Sequence, residues 1–126
     1  MKSSYQEYSH IEVTTEVASA SSHRQIQLLL EKLLHHLEMA KVCITANQMK
    51  KKHEVISKAL DIILYLRSCL NFKEEAALAL SNQLDGIYQF SEKNLLLANL
   101  KNNTQFIDEI IKPLNDIKIG WDGLTG

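Results

Sequence analysis

Residues 22–47 read SHRQIQLLLEKLLHHLEMAKVCITAN. Along this stretch Ile26, Leu30, Leu33, Leu37, Ala40 and Ile44 step by four and three, so a helix of 3.6 residues per turn gathers them on one face. Leu28, Leu29 and Leu34 widen that face beyond a narrow coiled-coil seam. Ser22 and Gln25 have capping-box spacing, in which the hydroxyl accepts an orphan backbone N–H and the glutamine reaches back, so the helix is expected to open there. Asn47 is its expected stop, because asparagine tolerates the left-handed backbone at a helix end.

The same arithmetic yields three more helices. From about Gln48 to Leu70 the positions Lys52, Ile56, Ala59, Ile63, Leu66 and Leu70 share a face, apolar from Ile56 onward. Asn71 and Glu74 give the next N-terminal signature, and Ala77, Leu80, Leu84, Ile87, Ser91, Leu95 and Ala98 form the inner stripe of a third helix that ends near Lys101-Asn102-Asn103. Thr104 is the expected cap of a fourth, with Phe106, Ile107, Ile110, Ile111, Leu114, Ile117 and Trp121 turned inward. Pro113 lies inside this helix and is expected to kink or loosen one turn. Four amphipathic segments of roughly 17–28 residues, joined by short links, predict an all-α protein, an antiparallel up-down four-helix bundle over residues 21–126. Residues 1–20 are a polar Ser/Thr-rich lead segment carrying Tyr5, Tyr8, Ile11, Val13 and Val17.

Composition agrees and excludes other classes. The first 85 residues hold neither glycine nor proline, which a sheet protein would need for its turns. Hydrophobic residues make up 45% and charged residues 23% of the 126, the balance of a folded chain with one core. Fourteen basic against fifteen acidic side chains leave a formal charge of −1, so the counterion-release drive of a nucleic-acid binder is missing. Apolar runs such as Leu95-Leu96-Leu97-Ala98 are far too short for a membrane span, and the N-terminus lacks the apolar core of a secretory signal. Cys43 and Cys69 stand apart from any C-x-x-C pattern and read as buried free thiols in a reducing, cytoplasmic compartment.

Chemistry finds little foothold. A di-iron bundle needs Glu-x-x-His pairs on facing helices, and the chain has none; adjacent His35 and His36 point about 100° apart on a helix and do not chelate one ion, so no metal or cofactor is expected. A phosphotransfer reading would rest on His36 alone, without the small residues such a site needs around it. No nucleophile elbow, P-loop or dinucleotide-binding glycine pattern occurs, so catalysis is not expected. The run Lys50-Lys51-Lys52-His53 reads as a solvated face without the aromatic residues that single-stranded nucleic acid calls for. What stands out is apolar surplus. Leu60 and Leu64 lie beside the stripe of helix two, Leu28 and Leu29 beside that of helix one, and Leu96, Leu97 and Leu100 around the end of helix three. Such a surplus is either wide core packing or an exposed groove for a partner, over which the lead segment with its tyrosines could fold.

Several segments resemble the bacterial flagellin export chaperones, the FliS family. Tyr5-Gln6-x-Tyr8 is similar to that family's N-terminal Y-Q-x-Y, and Ala20-Ser21 through Ile26-x-Leu28-Leu29 to its helix-opening region. Lys52-x-Glu54-x-Ile56-x-Lys58-Ala59-x-x-Ile62-Ile63-x-x-Leu66 resembles its second helix. Ala98-Asn99-Leu100-Lys101-Asn102-Asn103-Thr104 looks like its E-A-N-x-K-N-D turn, the most specific match, and Trp121 falls where the family has a tryptophan near the end. The chain departs from the pattern at Ser22 (usually proline), Leu30 (usually tyrosine), Lys32 (often glycine) and Leu97 (glutamate).

The resemblance implies a cytoplasmic binding protein without catalysis that holds the disordered C-terminal segment of flagellin, prevents premature polymerisation and brings it to the type III export gate, whose components are a second class of partner. On that view Tyr5, Tyr8, Ile26, Leu29, Leu33, Leu60 and Leu64 are the expected apolar contacts. Asn99, Lys101 and Asn102 match the family turn, with helix termination as their first role and polar contact as their second. The other readings are a general helical adaptor, a homodimer built on Leu60 and Leu64, and the His36 phosphotransfer domain.

Overall fold

The computed structural model describes residues 21–124, and they form four helices: α1 Ser22–Thr45, α2 Met49–Ser68, α3 Glu75–Lys101 and α4 Gln105–Asp122. Tyr5, Tyr8 and the rest of the lead segment lie outside the described residues. Each boundary falls within a few residues of its sequence signal, and the differences have local causes. The cap of α1 is Ser21, not Ser22: Ser21 holds the extended backbone (φ −62°, ψ 163°) that presents its hydroxyl to the Arg24 N–H at 3.2 Å. Asn47 at φ 57° and Asn102 at φ 52° take the left-handed conformation after α1 and α3, the role expected of both asparagines. Asn71 caps a turn and not the helix itself. Its Oδ1 accepts from the N–H groups of Lys73 and Glu74, and α3 begins one residue later without a side-chain cap. Thr104 likewise makes no cap bond; the Gln105 N–H donates to Asn103 Oδ1 at 2.9 Å in its place. α4 runs undivided through Pro113, where one backbone N–H is forfeited.

Each helix packs against the next, and α1 closes the ring against α4. Cross-links between opposite ends make every neighbouring pair antiparallel. Lys41 near the end of α1 meets Asp108 at the start of α4 at 2.7 Å, and Arg67 near the end of α2 meets Asp85 in the first half of α3 at 2.7 Å. Asn94 Nδ2 on α3 donates to the Phe106 carbonyl of α4 at 3.0 Å. The core contains the expected stripes of α1 and α2, together with Leu95 and Ala98 of α3 and Ile107, Ile110 and Leu114 of α4. No helix among the described residues is long and apolar enough to cross a membrane.

Three expectations need correcting. On α3 the buried stripe is rotated: Leu80 is exposed, whereas Ser81 and Tyr88 face inward. The first turns of α3 stand beside the link that follows α2, and Ser81 is drawn in because its hydroxyl donates to the Asn71 carbonyl of that link at 2.6 Å. Cys43 is buried, but Cys69 is exposed because it occupies the C-cap of α2. The lysine run is not one solvated face. Lys50 and Lys51 are exposed, while Lys52 lies on the core side of α2 with 3 % of its surface accessible. Its ammonium donates to the Asn99 carbonyl at 2.9 Å and to Asn102 Oδ1 at 2.6 Å, at the negative end of the α3 dipole.

A charged donor so placed is worth about 1.5–3 kcal/mol. Lys52→Met, which keeps the buried stem and removes the ammonium, is therefore expected to lower the urea unfolding free energy by about 2 kcal/mol. An unchanged denaturation midpoint would show that the two α3 acceptors are as well served by water.

Candidate functional site

The apolar surplus is distributed unevenly. On α1 it is absorbed: Leu29 and Leu33, expected as partner contacts, are 2 % and 0 % exposed because α2 and α4 both close over that helix. On α2, Leu60 is half-buried against the core and Leu64 is 50 % exposed. The largest uncovered share lies on α3, where Phe90, Leu96 and Leu100 are 45, 54 and 76 % exposed.

These residues belong to one surface. Leu60 and Leu64 precede Arg67 by seven and three positions, so they share its side of α2, and Arg67 reaches across to α3. Its Nε donates to Asp85 at 2.7 Å and its Nη1 to Glu92 at 3.4 Å. Gln89 Nε2 donates to the other Asp85 oxygen at 2.7 Å. The Arg67 hydrogen bond, then that of Gln89, holds the Asp85 carboxyl below the usual carboxylate range, and the same contact raises Arg67. Beside this clamp an open hollow of about 570 Å³ is lined by Arg67, Gln89, Phe90, Glu92, Lys93, Leu96, Leu97 and Leu100.

A second hollow of similar volume opens at the other end of the bundle, between Ser22, His23, Gln25, Ile26, Tyr65, Cys69, Trp121 and Leu124. Beneath it lies a smaller apolar space of about 110 Å³ that includes Ile26, Leu70, Leu84, Tyr88 and Trp121. Burial, and secondarily Cys69, pushes the Tyr88 hydroxyl up to about 12. Trp121 is fixed by a reciprocal pair of bonds: its Nε1 donates to the His23 carbonyl at 2.9 Å, and His23 Nε2 donates to the Trp121 carbonyl at 3.0 Å. The two rings stack with centroids 4.9 Å apart.

The expected contact residues therefore do not form one constellation. Leu60 and Leu64 flank the α2–α3 face, Ile26 lines the end hollow, and Leu29 and Leu33 belong to the core. Asn99 and Asn102 serve Lys52, and Lys101 is exposed at the end of α3. Phe90, Lys93 and Arg67 are additions. Phe90 lies seven residues before Leu97, a spacing that places both on one strip of α3. His36, which phosphotransfer would need at the surface, is 8 % exposed.

Comparison with known proteins bears on this surface. The family described as flagellar protein FliS matches residues 4–125. A flagellar secretion chaperone FliS of Vibrio cholerae is 34% identical over 97% of this chain and 88% of its own length. The flagellar secretion chaperone FliSB of Pseudomonas aeruginosa is 34% identical over 94% of this chain and 93% of its own. Among solved structures, a bacterial flagellar chaperone superposes with a TM-score of 0.73 over 95% of this chain and 93% of that one, at 17% identity, and so shares the fold.

The Arg67–Asp85 clamp makes a pH prediction. A carboxyl depressed in the folded state stabilises it fully above the unfolded value of about 4, and that contribution disappears as pH falls through the folded value. Between roughly pH 5 and pH 2 the wild type should lose stability more steeply than Asp85→Asn. Parallel acid titrations of the two urea midpoints would contradict the clamp.

Proposed function

The chain belongs to the FliS family of flagellar secretion chaperones, and from that premise we propose that it is a cytoplasmic, non-catalytic chaperone for flagellin that holds the C-terminal segment before export. The observation that carries this reading is the exposure of Phe90, Leu96 and Leu100 around one hollow on α3, with Leu64 exposed on the side of α2 that carries Arg67: large apolar side chains left open on neighbouring helices whose core is already filled. A flagellin tail that is disordered when free must order itself to bind, at roughly 2–5 kcal/mol, and needs an extended apolar contact to compensate. An amphipathic helix laid along α3 has that contact available. Occupying the tail keeps it from joining other flagellin molecules, and the loaded complex is the form presented to export-gate components.

Leu60, Leu64, Phe90, Leu96 and Leu100 are the proposed contacts on this face, with Ile26 at the end hollow as a separate apolar point. Asn99, Lys101 and Asn102 act first by ending α3 and secondarily by offering polar atoms beside the face. Tyr5 and Tyr8 belong to a lead segment that covers the face in the free protein and yields it to the client.

Mixing the purified chain with flagellin, intact or lacking its C-terminal segment, tests the assignment. The intact form should bind at least ~100-fold more tightly, and Leu96→Asp, at an exposed position, should abolish the difference while leaving the helical circular dichroism unchanged. Equal binding of both flagellins would reject the reading in favour of a general adaptor. For the lead segment, amide hydrogen exchange in residues 1–20 is expected to speed up when flagellin is added. Identical exchange with and without flagellin would rule out displacement.

A further inference from the structure

The hollow on α3 holds two cations in different settings: Arg67, which is paired with Asp85 and with Glu92 at the rim, and Lys93, which is flanked along its helix by Gln89 and by apolar side chains. Lys93 is exposed and lines it together with Phe90, Leu96, Leu97 and Leu100. Three and four residues to either side of Lys93, the positions that neighbour it on a helix, stand Phe90, Gln89, Leu96 and Leu97, none of them acidic. Glu92, the carboxylate that lines the same hollow, accepts from Arg67, as does Asp85. By contrast, Lys112 and Lys118 on α4 pair with acids one turn away, Asp116 at 3.0 Å and Asp122 at 2.6 Å. Lys93 has no ion pair among the described residues. Gly86, seven residues earlier on the same strip, has nothing within 4 Å of the place a Cβ would occupy, so the strip stays open along its length.

We propose that Lys93 is a specificity residue for the client: it selects an amphipathic helix that carries an aspartate or glutamate among its apolar residues. The assignment rests on the α3 face being the client surface. A purely apolar helix laid over this strip would take water from the ammonium and return nothing, whereas a carboxylate at the matching position replaces the lost hydration with an ion pair in a partly dry setting. The apolar side chains set how strongly a helix docks, and Lys93 sets which helix docks and in which register.

The test uses the full-length chain and intact flagellin of the same organism, with dissociation constants measured by titration calorimetry at low and high salt. Lys93→Met should weaken binding about 10-fold and flatten its salt dependence, and Lys93→Glu should weaken it ~100-fold. Lys112→Glu, an equal charge change outside the hollow, should leave binding unchanged. Changing one acidic residue of the flagellin tail to lysine should restore binding to Lys93→Glu. If Lys93→Met binds as tightly as the wild type or more tightly, the lysine merely covers apolar surface with its stem, and the assignment is overturned while the chaperone reading stands. If the wild type does not bind flagellin, both fall together.

Discussion

The register of α2 against α3 is set by a buried ammonium. Lys52 sits where the α2 stripe turns toward the core, and an ammonium taken out of water must find acceptors. It finds them at the end of α3, in a carbonyl left without a partner by the helix terminus and in the side chain of the left-handed Asn102. Fifteen residues further along α2, Arg67 meets Asp85, which lies fourteen residues back from Asn99 along α3. At 1.5 Å per residue the two locks are spaced almost equally on both helices, at roughly 21–23 Å, so each enforces the register the other requires. That register brings Arg67, on the same side of α2 as Leu60 and Leu64, to the hollow on α3 and leaves the hollow itself uncovered.

An open apolar strip is a hazard for an ordinary domain and a resource for one that holds unfolded clients. The bundle separates the two tasks. α1 is sealed against α2 and α4, including the leucines that widen its face, and this supplies a core that does not depend on a partner. α3 places Ser81, Ser91 and Asn94 on its inner side beside Tyr88, Leu95 and Ala98, and leaves Leu80, Phe90, Leu96 and Leu100 outside. Each inner polar group is satisfied: Ser91 donates to the Ile87 carbonyl of its own helix, Ser81 to the link, and Asn94 to α4. The polar side chains turned inward on α3 thus carry their own hydrogen bonds, and Asn99 Oδ1 is the atom of this helix buried without one among the described residues.

The arrangement of α3 also marks the limit of what could be read from the chain alone. Helix number, length and order follow from 3.6-residue periodicity and from asparagines at the ends, because these are local signals; Asn47 and Asn102 behave as their residue type demands. Which leucines are surplus is not local. Leu29 and Leu96 both flank a stripe, and only the number of helices closing over each one decides that the first is core and the second is surface. Periodicity put Lys52 on the inner stripe while its charge put it with the solvated lysine run, and the acceptors that decide between the two lie some fifty residues away. The reciprocal bonds of His23 and Trp121 span 98 residues and left no trace in spacing.

Those last bonds matter for the lead segment. By tying the first turn of α1 to the last turn of α4, they give Ser21 a fixed position at one end of the bundle. Twenty residues fully extended reach up to ~65 Å, whereas α3, at 27 residues, is about 40 Å long, so a segment tethered at Ser21 has ample chain to reach the outer strip of α3. Under the proposed function, a tether of that length would present its tyrosines to the strip at an effective concentration of order millimolar. The proposed displacement then asks only for a weak contact between the segment and the strip, one that a longer client helix would outcompete. A lead segment that bound tightly would defeat the purpose, and its polar Ser/Thr-rich composition, with tyrosines and aliphatics set singly, suits the weaker bargain.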